Sequence, residues 1–278
     1  MALREATGID GTSLVYRITG PEGARPLVLL HGWAQSMNCW GSAVLDALAA
    51  KYRVIAVDLR GHGYSGAPDA GYDDPKTWAG DVAEVLAAEH VDSGAVLLGW
   101  SYGGLVIADY LAECGTDAVD AVVLVGAITS LGPGQRGGRV GSAMRAALPA
   151  ALSEDPGEAI RALGSFGTAL TGPVDVRDPG KGAASQALFG ASLATPPRVR
   201  AALFGRTVGH DDLLATLPVP ALILHGTADS VVDVSAARHA ADLVPNATVS
   251  YWEGCDHGPF VEDPARFVAE VGAFVDGL

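Results

Sequence analysis

Short apolar runs alternate with amphipathic segments along most of this chain. Continuous apolar runs at Pro26–Leu30, Tyr52–Val57 and Ala95–Leu98 are typical of strands that are buried on both faces of a sheet. Segments whose apolar residues have helical spacing lie between them, at Ser42–Ala50 and Thr77–Glu89. Because strands that alternate with helices form right-handed βαβ units, the pattern predicts a mostly parallel sheet with helices on both faces.

The alternation extends towards both ends of the chain. At the start, Leu3–Thr7 and Ser13–Ile18 flank an Asp-Gly turn, which predicts a β-hairpin. Further along, the pattern predicts strands at Ala121–Val125, Ala221–Leu224 and Thr248–Trp252, and helices at Leu105–Ala112, Ser235–Leu243 and Pro264–Val275.

One segment, from Ala127 to about Gly209, breaks this alternation. It is rich in Gly, Ala, Ser and Pro, has short helical pieces at Val140–Leu148 and Glu158–Leu163, and contains no good strand. We therefore predict a helical cap inserted into the sheet domain. Residues 1–126 and 210–278 would form the two parts of the core, and residues 127–209 would form the cap.

The pattern G-x-S-x-G lies between a predicted strand and a predicted helix, at Gly99–Gly103. Side chains at the two glycines would clash where a strand turns at once into a helix. The turn holds Ser101 in a strained conformation with its hydroxyl directed out of the sheet. The helix that follows presents free N–H groups, so the N–H of Tyr102 can hold an oxyanion. This context predicts a serine nucleophile that attacks a carbonyl.

Two further polar residues follow predicted strands at the same edge of the sheet, where ligand chemistry gathers in folds of this kind. Asp229 comes after the strand Ala221–Leu224, and His257 comes after the last strand. Asp233 and Asp256 compete with Asp229 as the acidic partner of the histidine, and the position in the loop favours Asp229.

With these residues in view, the sequence resembles the α/β-hydrolase superfamily along nearly its whole length. The motifs that carry the resemblance, besides the G-x-S-x-G turn, are His31-Gly32-Trp33, Asp58–Ser65, Gly226–Asp229 and Asp256–Phe260. The chain order Ser, Asp, His is also the order of that superfamily. The resemblance implies the α/β-hydrolase fold, a mostly parallel twisted sheet with helices on both faces and an inserted helical cap.

The resemblance also implies roles for individual residues. Ser101 would be the nucleophile, His257 the general base and Asp229 the group that orients it, as in a Ser-His-Asp triad. The backbone N–H groups of Trp33 and Tyr102 would form the oxyanion hole. In the cap, apolar residues are candidate walls of the substrate pocket, with Trp33 below them: Phe166, Leu170, Phe189 and Phe204.

The implied function is hydrolysis of small or medium apolar carboxylic esters through an acyl-enzyme. The residues of the motifs are most similar to those of the pimeloyl-carrier methyl ester esterases and of the cofactor-free haloperoxidases or perhydrolases. Perhydrolysis and the hydrolysis of lactones or thioesters therefore remain alternatives, and so does a non-catalytic small-molecule receptor on the same fold. Haloalkane dehalogenases and epoxide hydrolases are disfavoured, because those relatives carry Asp at the nucleophile elbow, the Gly99–Gly103 turn, where this chain carries Ser101.

Other motif residues are predicted to have structural roles. His31 would order its loop and Asp58 would brace the loop after its strand. His225 is the histidine at the end of a strand, before the acid loop. His210 and His239 have no motif around them.

Composition limits the kinds of binding partner and the cellular compartment that we expect for this protein. A formal net charge of −14 argues against nucleic acid or an anionic membrane as partner. The three widely spaced cysteines, Cys39, Cys114 and Cys255, predict reduced thiols in a cytoplasmic protein. The start of the chain has no pattern of a signal peptide or membrane span. The scattered histidines predict an enzyme with no metal and no organic cofactor, and the oligomeric state stays open.

Overall fold

A computed structural model describes residues 2–172 and 179–278, and its eight strands form one sheet. The strands are β1 (Ala2–Thr7), β2 (Ser13–Thr19), β3 (Pro26–Leu30), β4 (Arg53–Val57), β5 (Ala95–Trp100), β6 (Val119–Val125), β7 (Ala221–Gly226) and β8 (Ala247–Trp252). Their order across the sheet is β1-β2-β4-β3-β5-β6-β7-β8. The pairs β1–β2 and β2–β4 are antiparallel, and every other pair is parallel. The predicted hairpin and the mostly parallel sheet are confirmed.

Helices connect these strands and cover the sheet. They are α1 (Gly41–Ala49), α2 (Pro75–Ala88), α3 (Tyr102–Cys114), α4 (Ser142–Ala151), α5 (Pro156–Thr171), α6 (Pro179–Ala194), α7 (Pro197–Phe204), α8 (Asp211–Ala215), α9 (Val234–Leu243), α10 (Pro259–Glu262) and α11 (Pro264–Asp276). Short 3₁₀ helices lie at Met37–Trp40 and Arg136–Gly138.

Aspartate side chains start several of the helices. Asp74, Asp155, Asp233 and Asp263 each accept a hydrogen bond from a backbone N–H in the first turn of α2, α5, α9 and α11. A proline follows at the first position of α2, α5 and α11, where the missing N–H costs nothing. The first residues of these helices can be predicted from the sequence, because the capping aspartate and the proline are both local features.

The segment between β6 and β7 is more helical than its sequence suggests. The predicted piece Glu158–Leu163 lies in the first half of α5, which runs from Pro156 to Thr171, and α6 and α7 were not predicted. Helix α4 packs against α5 and α5 against α6, so tertiary contacts stabilise the three helices. Residues 173–178 lie outside the described residues, and the division into core and cap stays a prediction.

The central strands form the core. Every residue of β5 and β7 is buried, as expected for parallel strands covered on both faces. In residues 2–172 and 179–278, no helix is both long and apolar enough to cross a membrane.

Candidate active site

The turn from β5 into α3 places Ser101 at the carboxyl edge of the sheet. Ser101 has φ +55°, a left-handed conformation that a non-glycine residue rarely adopts. A Cβ on Gly99 would lie 2.6 Å from the carbonyl carbon of Gly103, and one on Gly103 would lie 2.2 Å from the oxygen of Leu30. Only glycine fits at these two positions, and the close approach that they permit holds the serine in its strained turn.

Asp229 and His257 form a buried pair. The Nδ1 atom of His257 lies 2.7 Å from Oδ2 of Asp229, while Oδ1 of Asp229 accepts the backbone N–H groups of Val231 and Val232 at 2.8 and 2.9 Å. Burial raises the pKa of Asp229, but the charge of His257 and the hydrogen bonds of His225 and His257 outweigh it and hold that pKa below its ordinary value. The carboxylate is therefore ionised and saturated with donors.

The competing aspartates have other partners. Asp233 caps α9 by accepting the N–H of Ser235 at 2.9 Å. The N–H of Asp256 donates to Glu262 at 2.7 Å, and burial together with the charges of Glu262 and Asp229 raises the pKa of Asp256. Of the three candidates, Asp229 is the one that meets the His257 ring.

Trp100 links the loop of His257 to the strand that carries Ser101. Its indole Nε1 donates to the carbonyl oxygen of His257 at 2.9 Å, and the two rings lie 5.2 Å apart. The N–H of Ser101 donates to Val125 at 2.9 Å, and a Cβ on the next residue, Gly126, would lie 3.2 Å from Nδ1 of His257. The serine and the histidine thus both lie beside the end of β6.

The loop after β3 lies directly against the serine. A Cβ on Gly32 would lie 2.9 Å from Cβ of Ser101, so the next residue, Trp33, is close to the nucleophile. Tyr102 is the first residue of α3, where an N–H has no acceptor within the helix. In the described part of the chain, neither the N–H of Trp33 nor that of Tyr102 donates to a protein acceptor. Two backbone donors thus remain available beside Ser101.

Histidines brace this loop from below. Nε2 of His31 accepts the N–H of Leu59 at 3.0 Å, and Nε2 of His62 accepts the N–H of Ala34 at 3.2 Å. Burial lowers the pKa of His31 to about 4 and, with the charge of His31, the pKa of His62 to about 3. Both rings are neutral acceptors, and the predicted ordering role of His31 is confirmed.

The predicted pocket residues lie in different parts of the structure. Trp33 packs edge-to-face on Phe166 and Phe204, with ring centroids 5.8 and 5.5 Å apart. Leu170 lies near the histidine loop, since a Cβ on Gly258 would lie 2.4 Å from its oxygen. Phe189 lies on α6 about 3.8 Å from the Cβ position of Gly164 on α5.

A groove of about 670 Å³ lies between α4 and α5 and reaches Phe166. Alanines make up half of its lining residues, Glu158 and Arg161 also line it, and Ser101 is not one of its lining residues. Phe166 therefore lies between this groove and the indole of Trp33.

A buried network behind the elbow was missed from the sequence. Arg206 donates to both oxygens of Asp109 at 2.9 and 2.7 Å and to the phenol oxygen of Tyr102 at 3.1 Å. His210 lies 2.9 Å from the same carboxylate. The network ties α3 to the segment after α7. No motif surrounds Asp109, Arg206 or His210, and only the fold brings them to Tyr102.

Cysteines and metal-binding groups add little to this site. All three cysteines are unpaired, and burial raises the pKa of the Cys255 thiol. The described residues hold no group of three or more His, Cys, Asp or Glu arranged to bind a metal ion. The prediction of an enzyme without metal or cofactor stays a prediction.

The sheet and the site together define a class of protein. The sheet has eight strands, and its edge carries a serine at a strained strand-to-helix turn together with a buried His-Asp pair. Residues 27–271 match the alpha/beta hydrolase family, so the chain belongs to that family, and the resemblance and fold expected from the motifs are confirmed.

Particular relatives are similar over their whole length. The chain is 68% identical to the esterase RhEst1 from Rhodococcus sp. ECU1013, whose crystal structure matches 100% of both chains with a TM-score of 0.97. It is 34% identical to a non-heme chloroperoxidase from Streptomyces lividans, over 97% of this chain and 98% of that protein. It is 28% identical to a pimeloyl-acyl-carrier-protein methyl ester esterase from Aliivibrio salmonicida, over 95% and 96% of the two chains.

Proposed function

We propose that the protein is a serine carboxylesterase that hydrolyses small-molecule carboxylic esters through an acyl-enzyme. The observation that carries this proposal is the 2.7 Å contact between Nδ1 of His257 and Asp229, at the edge of the sheet where Ser101 has φ +55°. The 68% identity to a solved esterase over the whole chain supports the same reading.

The chemistry follows from the roles of the three side chains. Ser101 attacks the ester carbonyl while His257 takes the hydroxyl proton and then gives it to the leaving alcohol. Asp229 keeps the proton of His257 on Nδ1, which leaves Nε2 free to act as the base. Water, deprotonated by His257, attacks the acyl-enzyme and releases the acid.

The oxyanion of each tetrahedral intermediate would be held by the N–H groups of Trp33 and Tyr102. Support comes from the position of Gly32 against Ser101 and from the absence of a protein acceptor for either donor in the described residues. Such preorganised donors are worth more in a site that excludes water.

Ester hydrolysis is tested with p-nitrophenyl acetate and butyrate on the wild type and on Ser101→Ala. Loss of the nucleophile in a triad of this type costs on the order of 10⁶ in kcat. Ser42→Ala, an exposed serine on α1, is the matched control and should keep wild-type turnover. Activity of Ser101→Ala above a hundredth of wild type would exclude Ser101 as the nucleophile, and wild-type protein inactive on all esters would favour a receptor.

Residues 127–209 are proposed as a cap that covers the site and sets substrate choice. The contacts of Phe166 and Phe204 with Trp33 support this, as does the hydrogen bond from the Trp33 indole to the oxygen of Arg200 at 3.0 Å. Alanine variants test it by their preference for short or long acyl chains: Phe166→Ala, Leu170→Ala, Phe189→Ala and Phe204→Ala. Phe166→Ala, which joins the groove to the Trp33 indole, should favour longer acyl chains. Four unchanged profiles would refute the cap as the specificity element.

Perhydrolysis is a second candidate, favoured by the 34% identity to a non-heme chloroperoxidase. Hydrogen peroxide would then replace water in the attack on the acyl-enzyme and yield a peracid. The test is peracid formation from acetate and peroxide. Perhydrolysis would be established if this activity is lost together with ester hydrolysis in Ser101→Ala.

A cytoplasmic location is also proposed, and the three unpaired cysteines support a reducing compartment.

A further inference from the structure

His225 is a buried histidine that the proposed mechanism does not use. It lies on β7, four residues before Asp229, and its side chain is fully buried. Its Nε2 atom lies 3.1 Å from Oδ2 of Asp229 and 3.0 Å from the carbonyl oxygen of Val232. That carboxylate oxygen is also the one that meets Nδ1 of His257 at 2.7 Å. A single oxygen of the acid therefore faces two imidazoles.

The neighbours of His225 determine where its proton resides. Both groups near Nε2 are acceptors, so Nε2 carries the proton and shares it between Asp229 and Val232. Its Nδ1 atom is buried and has no hydrogen-bond partner among the described residues. A proton there would be an unpaired buried donor, which is costly. His225 thus donates from Nε2.

We propose that His225 is a positioning residue that acts through Asp229 and limits how strongly the acid attracts the proton of His257. This inference rests on the proposed esterase function. A second N–H close to Oδ2 draws off part of its negative charge and keeps the oxygen aimed at Nδ1. His257 then stays neutral, and able to accept the serine proton, at a lower pH than it would beside an acid with one imidazole.

Other ionisable groups face the pair and are left unchanged by substitutions at His225. Asp256 and Cys255 lie on the loop after β8, and Glu262 of α10 contacts both of them. The charges of Asp229 and His257 act on Asp256. Because these groups are the same in every variant compared, a change in pH dependence is attributable to His225.

The test is the pH profile of kcat/KM, which reports the free enzyme, for His225→Leu and His225→Gln. The leucine variant has no donor to Asp229, so the acid limb should move about half a pH unit towards higher pH. In the glutamine variant an amide N–H can replace the Nε2 donor, and the limb should stay at the wild-type position. His239→Leu is the matched control, because it removes a buried histidine 2.8 Å from Asp211, away from the site. Its limb should not move.

Several outcomes would overturn the inference. These are an unshifted limb in His225→Leu, an equal shift in His225→Gln, or a shift in His239→Leu. A fall in kcat with an unshifted limb would mean that His225 only packs the loop. If the leucine variant does not fold, NMR of the proton shared by His257 and Asp229 compares the wild type with His225→Gln. The resonance should be unchanged in the glutamine variant. A displaced or lost resonance would overturn the inference. Stoichiometric labelling of Ser101 by a fluorophosphonate in every variant separates failure of this inference from failure of the proposed esterase function.

Discussion

Two aspartates follow strands at the same edge of the sheet and are buried to a similar degree, yet their carboxyl groups behave oppositely. Asp58 comes after β4 and is 0% exposed, and Asp229 comes after β7 and is 8% exposed. Burial raises the pKa of Asp58, and its two backbone donors do not offset this, whereas the pKa of Asp229 is lowered. Burial alone therefore does not decide the ionisation of these two groups.

The donors around each carboxylate explain the difference. Asp58 accepts the N–H of Met37 at 2.6 Å and that of Tyr64 at 2.8 Å, and so joins two loops. Asp229 accepts two backbone N–H groups and also lies against two imidazoles. A backbone amide fixes geometry, while a histidine that can carry charge stabilises the ionised acid. The predicted bracing role of Asp58 is confirmed.

The largest effect that separates the two carboxylates is on turnover. Asp229→Asn should lower kcat by about 10⁴, as loss of the orienting acid does in a protease triad. Asp58→Asn should keep kcat within about tenfold of wild type, because Asp58 contacts loops and not His257. Asp233→Asn is the matched control, since asparagine caps a helix as well as aspartate does. The comparison breaks if Asp58→Asn or Asp233→Asn loses as much activity as Asp229→Asn.

Each carboxylate also lies against a glycine with a left-handed backbone, and this pair gives an intermediate effect. Gly126 has φ +50° and a Cβ there would lie 3.2 Å from Nδ1 of His257, whereas one on Gly63, at φ +54°, would lie 2.1 Å from Oδ2 of Asp58. Gly126→Ala should cost between about ten- and a hundredfold in kcat by displacing the histidine. Gly63→Ala should instead lower the free energy of unfolding by about 1–3 kcal/mol. Steady-state kinetics and urea unfolding of both variants measure this, and an activity loss confined to Gly63→Ala would contradict it.

The smallest expected effect is the pH dependence of stability. The pKa of Asp58 is higher in the folded protein than its ordinary value of about 3.9, so the folded state binds the proton more tightly. The stability contributed by this group is fully present below that ordinary value and is lost as pH rises through the folded pKa. The deficit of Asp58→Asn relative to wild type should therefore shrink as pH rises from about 4 to 7. Urea unfolding across this range measures it, and a deficit that grows with pH would show that Asp58 is stabilised as an anion.

The two regions also differ in what the sequence could predict about them. The elbow was predictable because strand, turn and helix are contiguous, and only glycine tolerates the approach of Gly103 to Leu30. The position of Asp229 in the loop after its strand favoured it as the acidic partner of the histidine, although Asp233 lies only four residues further along the chain. That Asp233 caps α9 is a local property that the sequence allows, but which aspartate meets the histidine depends on how β7 and β8 pair.

Outside the segment between β6 and β7, the sequence by itself determined the order of the main strands and helices. It also determined the G-x-S-x-G turn and the family, because periodicity and short motifs are local properties of the chain. The tertiary structure alone decided the full extent of α5 to α7, the second histidine on Asp229 and the contact of Arg206 with Asp109, 97 residues away. These features have no local pattern, since they arise when parallel strands bring distant loops to one edge of the sheet and packing buries charges that must then find partners.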